Sequence, residues 1–107
     1  MKYHNVKVEY DGYKFDSKHE RDTYMILKDR QCKGEISELR LQVPFILQDG
    51  YKLGNKKQQA ITYIADFTYY EDKKFRVVDA KGILTDVYKI KKKLFEYKYQ
   101  IEITEIY

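Results

Sequence analysis

The sequence predicts a mixed α/β fold in which one mixed sheet is flanked by helices, and three observations carry that expectation. A segment with helical signals at both ends covers residues 18–33. Runs of β-formers cluster between residues 36 and 80. A second helix-period segment from Thr85 is followed by IEITEI, which alternates strictly. The expected order is hairpin-α-β-β-β-α-β.

Each element has a local cause. VKVEYDGYKF, residues 6–15, alternates on both sides of Asp11-Gly12, a dipeptide that favours a type I′ turn, so it reads as a hairpin. Ser17 followed three residues later by Glu20 matches a capping box, and Gly34 supplies the C-terminal stop, which predicts a helix over residues 18–33. ISELRLQVPFIL is rich in β-branched and aliphatic residues, with Pro44 marking an edge or a bulge. QDGYKLGNKKQQ, residues 48–59, reads as a polar loop or wide hairpin turn carrying Lys52, Lys56 and Lys57. Ala60 to Glu71 and Phe75 to Ala80 are strands joined by a tight turn at Asp72-Lys73-Lys74, so they are expected to pair antiparallel. From Thr85, Val87, Ile90, Leu94 and Tyr97 recur at helical spacing, which predicts a core-facing stripe with Lys89, Lys92, Lys93 and Glu96 outside.

A chain of 107 residues fits one domain, so any site must sit on the core scaffold itself. With 43% hydrophobic and 36% charged residues the composition is that of a globular fold and excludes a disordered chain. The net charge is only +4, but Lys81 to Lys93 holds five lysines against Asp86 alone. Such a block suits a polyanionic partner, and equally a solvated helix face. Cys32 is the single cysteine, which excludes an internal disulfide and a thiolate zinc site; His4 and His19 read as ordinary surface histidines. The charged N-terminus has no signal-peptide pattern and no apolar run approaches a membrane span, so an intracellular, cytoplasmic protein without a membrane partner is expected.

Three acids and a lysine stand out once the elements are placed. Asp79 and Lys81 are two apart at a strand end, so both project from one face. Asp66 interrupts the apolar YIADF, where an unpaired carboxylate is costly to bury. Glu20 shares a helical spacing with Tyr24 and Leu27 and so points to the packed face. The acid-x-lysine spacing occurs five times, ending at Lys18, Lys73, Lys74, Lys81 and Lys98, and only the copy at Lys81 follows strand character and precedes a glycine. Asp66 and Asp79 offer the hard oxygen ligands that Mg²⁺ or Mn²⁺ prefers, Lys81 an amine to polarise water or balance phosphate charge, and Glu20 a further ligand. Each residue has a plainer reading as well. Glu20 fits as the acid of the capping box, and Asp79 with Lys81 as an ion pair contributing about 0–1 kcal/mol.

The succession FDSKHE, LQVPF, YIADF, and VVDAKG followed by TDVYKIKKKLFE resembles a family of small phage and prophage proteins catalogued as a domain of unknown function. That family is similar to the PD-(D/E)XK nuclease superfamily, and the resemblance spans Tyr3 to Ile106. It implies a restriction-endonuclease-like core whose helix glutamate, central aspartate, second acid and lysine match Glu20, Asp66, Asp79 and Lys81. The implied activity is metal-dependent DNA cleavage leaving a 5′-phosphate. Ala65-Asp66 stands where the signature has proline-aspartate, a departure the superfamily tolerates. Gln42 in LQVPF matches a glutamine that recurs near the active site in similar nucleases, and also suits a plain strand hydrogen bond. Thr85, Lys89, Lys92 and Lys93 lie beyond the catalytic strand, where they are expected to hold the sugar-phosphate backbone.

The expected function is a phage- or prophage-encoded, Mg²⁺- or Mn²⁺-dependent DNA endonuclease, with branched junctions as a substrate by analogy with small resolvases. A chain this short is expected to form a homodimer for paired cuts. The alternative is a nucleic-acid-binding module that has lost catalysis. The acidic trio argues against it, because carboxylates facing DNA repel phosphate unless a cation neutralises them.

Overall fold

A computed structural model describes residues 6–81 and 84–107. Tyr3 and His4, and the glycine that follows Lys81, therefore lie outside the described residues. Strands β1 (Val8–Tyr10) and β2 (Tyr13–Phe15) form the expected hairpin. Asp11 at φ 55° and Gly12 at φ 81° are both left-handed, as a type I′ turn requires. Helix α1 (Lys18–Cys32) starts at Ser17, whose hydroxyl accepts the Glu20 N–H at 3.1 Å.

Strand β3 (Ser37–Gln48) leads into a small antiparallel ribbon of β4 (Tyr51–Leu53) and β5 (Lys56–Gln58), where a polar loop or wide hairpin turn is expected. Then follow β6 (Ile61–Glu71), β7 (Lys74–Ala80), helix α2 (Asp86–Tyr99) and β8 (Ile103–Ile106). The central sheet has the order β3-β6-β7-β8, with antiparallel pairs except β7-β8, which is parallel and joined through α2. Pro44 lies on β3, an edge strand, where its missing N–H is tolerated. Asp72 and Lys73, at φ 52° and 66°, turn β6 into β7.

Each face of the sheet carries its own core. Phe15, Tyr24, Leu27, Phe67 and Val78 pack together on the α1 side. Tyr63, Val77, Tyr88, Phe95 and Ile103 pack on the α2 side. A strand alternates its side chains, so residues two apart should share a face. Yet Ala65 belongs to the α2 core and Phe67 to the α1 core. On β3, Leu39 and Leu41 pack with the α1 core, whereas Phe45 and Leu47 pack with the α2 core. Both strands therefore turn over at one level, marked by Asp66 on β6 and by Gln42, at φ 53°, on β3. A non-glycine residue in the left-handed region is costly. Here it re-aims the chain where the candidate site lies.

The expected apolar stripe of α2 is corrected by the structure. Val87, Ile90 and Tyr97 are 63%, 59% and 82% exposed and Leu94 is exposed too, while Tyr88 and Phe95 are buried and Tyr99 half-buried. The helix is turned by one residue, about 100°, from the expected orientation. Rings decide the matter, because each aromatic buries more area than an aliphatic side chain and Phe95 meets Phe45, Tyr63 and Tyr99 at centroid distances of 5.0–5.3 Å. The same turn moves Lys92 from the outer face to an ion pair with Glu105 of β8 at 3.0 Å.

Candidate metal centre

Glu20 sits in the first turn of α1 and is buried with Thr23, Tyr24 and Leu27, as its spacing predicts. Its carboxyl faces Asp66 on β6, so Ser17 caps the helix through its own hydroxyl alone. Burial pushes the Glu20 carboxyl up to about 8, reinforced by the Asp66 charge and a hydrogen bond to Asp66, while the backbone N–H of Asp16 acts in the opposite direction. Two acids thus share a partly dry space. Either a proton or a cation relieves their repulsion.

Asp66 is held by both neighbouring strands. Its Oδ2 accepts the Ala80 N–H of β7 at 2.9 Å, and its Oδ1 accepts from the Gln42 Nε2 of β3 at 3.4 Å. Gln42, a residue singled out by the sequence, is thereby brought to the site. Its left-handed backbone allows it to reach Asp66 from the edge strand.

Asp79 lies one residue beyond the Phe67–Val78 pair of β6 and β7 and is 1% exposed. Its Oδ2 accepts the hydroxyl of Tyr63, and its Oδ1 stands 3.5 Å from the Lys81 Nζ. Burial raises this carboxyl to about 6, against the pull of Lys81 and of the Asp66 backbone N–H. Lys81 is fixed twice over: its ammonium lies 3.9 Å from the centre of the Tyr88 ring and its backbone N–H donates to the Ile106 carbonyl at 2.7 Å.

The structure therefore brings Glu20, Asp66 and Gln42 together, with Asp79 and Lys81 alongside on the next strand. Among the described residues no group of three or more His, Cys, Asp or Glu side chains is already set at ligating distances. The reason is local, since the Asp79 carboxyl is turned to Tyr63 and Lys81. The donor chemistry fits a hard divalent cation nonetheless: carboxylates, two of them facing each other, with Asp66 already held in place by the Ala80 N–H and the Gln42 side-chain amide.

The residues expected to hold DNA are placed on α2, beyond this cluster. Thr85 caps α2, its hydroxyl accepting the Tyr88 N–H at 3.1 Å. Lys89 and Lys93 are exposed; Lys92 is engaged with Glu105. Sequence reasoning missed Tyr63 and Tyr88, which orient Asp79 and Lys81. Tyr63 is three residues before Asp66 and would face away from it in a regular strand, so only the turning-over of β6 could have revealed it.

A glutamate-bearing helix, an antiparallel strand pair carrying the two aspartates, a second helix and a parallel edge strand make a mixed α/β protein with a restriction-endonuclease-like arrangement. A family model described as Protein of unknown function (DUF1064) matches residues 1–106, and the chain belongs to that family. No curated protein and no solved structure matches the chain.

Proposed function

We propose that the protein is a phage- or prophage-encoded, metal-dependent DNA endonuclease similar to the PD-(D/E)XK nucleases, hydrolysing phosphodiester bonds in DNA, with branched DNA as a substrate. The observation that carries this reading is the meeting of Glu20 with Asp66, two acids from different elements, beside the buried Asp79–Lys81 pair. A purely structural cluster would avoid facing carboxyls. A site for a divalent cation needs them.

Glu20, Asp66 and Asp79 would hold Mg²⁺ or Mn²⁺. When bound, the ion supplies charge stabilisation at the scissile phosphate and lowers the pKa of water. Gln42 and the Ala80 N–H orient Asp66. In the ion's absence Tyr63 holds the Asp79 carboxyl turned aside. Lys81, kept near the carboxyls by Tyr88, presents the amine that balances phosphate charge or holds the attacking water. Lys89 and Lys93 on α2 contact the sugar-phosphate backbone, which positions the duplex without reading bases. Two copies of the chain make paired cuts.

The alternative, a DNA-binding module without catalysis, has the lysines of α2 in its favour. One experiment separates the two. Supercoiled, linear and four-way-junction DNA are incubated with the protein in Mg²⁺, Mn²⁺ or chelator, beside Asp79→Asn and Lys81→Ala. Cutting by the wild type that needs metal and is lost in both variants supports the nuclease. Equal cutting by all three proteins assigns the activity to a contaminant, and binding without cutting in any metal favours the binding module.

A further inference from the structure

The β4-β5 ribbon is left unexplained by the site. Every residue from 48 to 61 is exposed, including Tyr51 at 50% and Leu53 at 72%. An isolated two-stranded ribbon is marginal in water, and apolar side chains left open on one gain nothing from the fold that carries them. The ribbon is nevertheless tightly built. Leu53 pairs with Lys56 across Gly54-Asn55, with Gly54 at φ 60°, in the order of a type II′ turn. At its base Gly50 lies so close to the returning strand that a Cβ would stand 3.0 Å from the Gln58 carbonyl oxygen and 3.3 Å from the Ala60 nitrogen. Backbone packs on backbone there, and with residues 48–61 all exposed the ribbon stands clear of both cores. The molecule is elongated, with a radius of gyration of 15.7 Å where roughly 13 Å is usual for this length.

Its charge selects the partner. Residues 50–60 contain Lys52, Lys56 and Lys57 and no acid, with amide side chains at Asn55 and Gln58 able both to donate and to accept. We infer that the ribbon is a second DNA-binding element that lays its lysines along the phosphates of a duplex groove. A two-stranded ribbon fits the width of the major groove. The ribbon tip is up to about 37 Å along the strand from Asp66 at roughly 3.4 Å per residue. One turn of duplex spans about 34–36 Å, so the ribbon is long enough to engage DNA as much as a turn away from the bond to be cut. The choice of duplex DNA over other polyanions rests on the nuclease reading.

The test is binding of the full chain to a fluorescein-labelled 30-base-pair duplex, in chelator so that no cleavage occurs, followed by anisotropy over a range of salt. Substituting Lys52, Lys56 and Lys57 by Gln together is expected to weaken binding about tenfold or more and to make the log K against log[salt] slope shallower by about 2.7, near 0.9 per phosphate contact. Tyr51→Ser with Leu53→Ser, which leaves the charge intact, is expected to weaken binding with the slope unchanged. Far-ultraviolet circular dichroism of both variants should match the wild type. Unchanged affinity and slope in the lysine variant would overturn the inference. So would a loss confined to phosphatidylserine vesicles, with duplex binding intact. Cleavage by the wild type with binding insensitive to the ribbon leaves the nuclease standing and removes this inference. Ribbon-dependent binding with no cleavage in Mg²⁺ or Mn²⁺ does the reverse.

Discussion

Glu20 and Asp79 hold their protons more tightly in the folded chain than their ordinary values of 4.5 and 3.8, reaching about 8 and about 6. A carboxyl whose folded pKa is raised contributes its full stability below its unfolded value and loses it as pH rises through the folded value. In chelator, stability should therefore fall between about pH 4 and pH 8, by several kcal/mol at about 1.4 kcal/mol per pKa unit. Urea unfolding at pH 5.5 and 8.5 measures it. Glu20→Gln should remove most of the loss, and Mn²⁺ should restore more stability at pH 8.5 than at 5.5. A wild type equally stable at both values would show that the acids do not share a dry site. Tyr63→Phe tests the neighbouring contact: deleting the donor to a buried carboxyl should cost about 1–3 kcal/mol in chelator. Mn²⁺ affinity, followed by calorimetry, should be kept or raised, because Asp79 is then restrained by Lys81 alone. A fall in affinity would mean that Tyr63 positions the ligand and does not compete for it.

At the scale of elements, α2 separates what the amino-acid pattern reveals from what it hides. The spacing of Val87, Ile90, Leu94 and Tyr97 is a good helical stripe, and its period correctly announces a helix. It fails to say which side is buried, because Tyr88, Phe95 and Tyr99 offer a competing stripe whose rings reach Phe45 and Tyr63, residues distant in the chain. Phe95→Ala should cost about 3–5 kcal/mol, whereas Ile90→Ser should change stability by no more than about 0.5 kcal/mol. Thermal or urea unfolding distinguishes these, and a larger loss at Ile90 would return the helix to its expected orientation. The ends of α1, the turns at Asp11-Gly12 and Asp72-Lys73, and the edge position of Pro44 were legible because each depends on neighbours in sequence. The turning-over of β3 and β6 was not. Alternation of Leu39, Leu41, Val43, Phe45 and Leu47 reads as one face, and nothing local marks Gln42 as left-handed. Glu20 was legible by its spacing with Tyr24 and Leu27; its contact with Asp66 needed the packing of α1 across the sheet.

Across the whole molecule, the sheet acts as a frame that collects groups from distant parts of the chain. Helix α1 brings Glu20, β3 brings Gln42, β6 brings Asp66, and β7 brings Asp79 and Lys81, while β8 closes beside Lys81 through the Ile106 carbonyl. The modest net charge of +4 conceals an uneven distribution. Glu20, Asp66 and Asp79 meet at the site while exposed lysines stand on α2 and on the ribbon, an arrangement that suits a cation held between carboxylates and a polyanion. The most direct measurement is calorimetric titration of Mn²⁺ into the wild type and into Glu20→Gln, Asp66→Asn and Asp79→Asn, each checked for folding by circular dichroism. One shared ion predicts a single site in the wild type and a loss of about tenfold or more in affinity, 1.4 kcal/mol or more, in every variant. Binding by Asp79→Asn as tight as that of the wild type would contradict the shared centre.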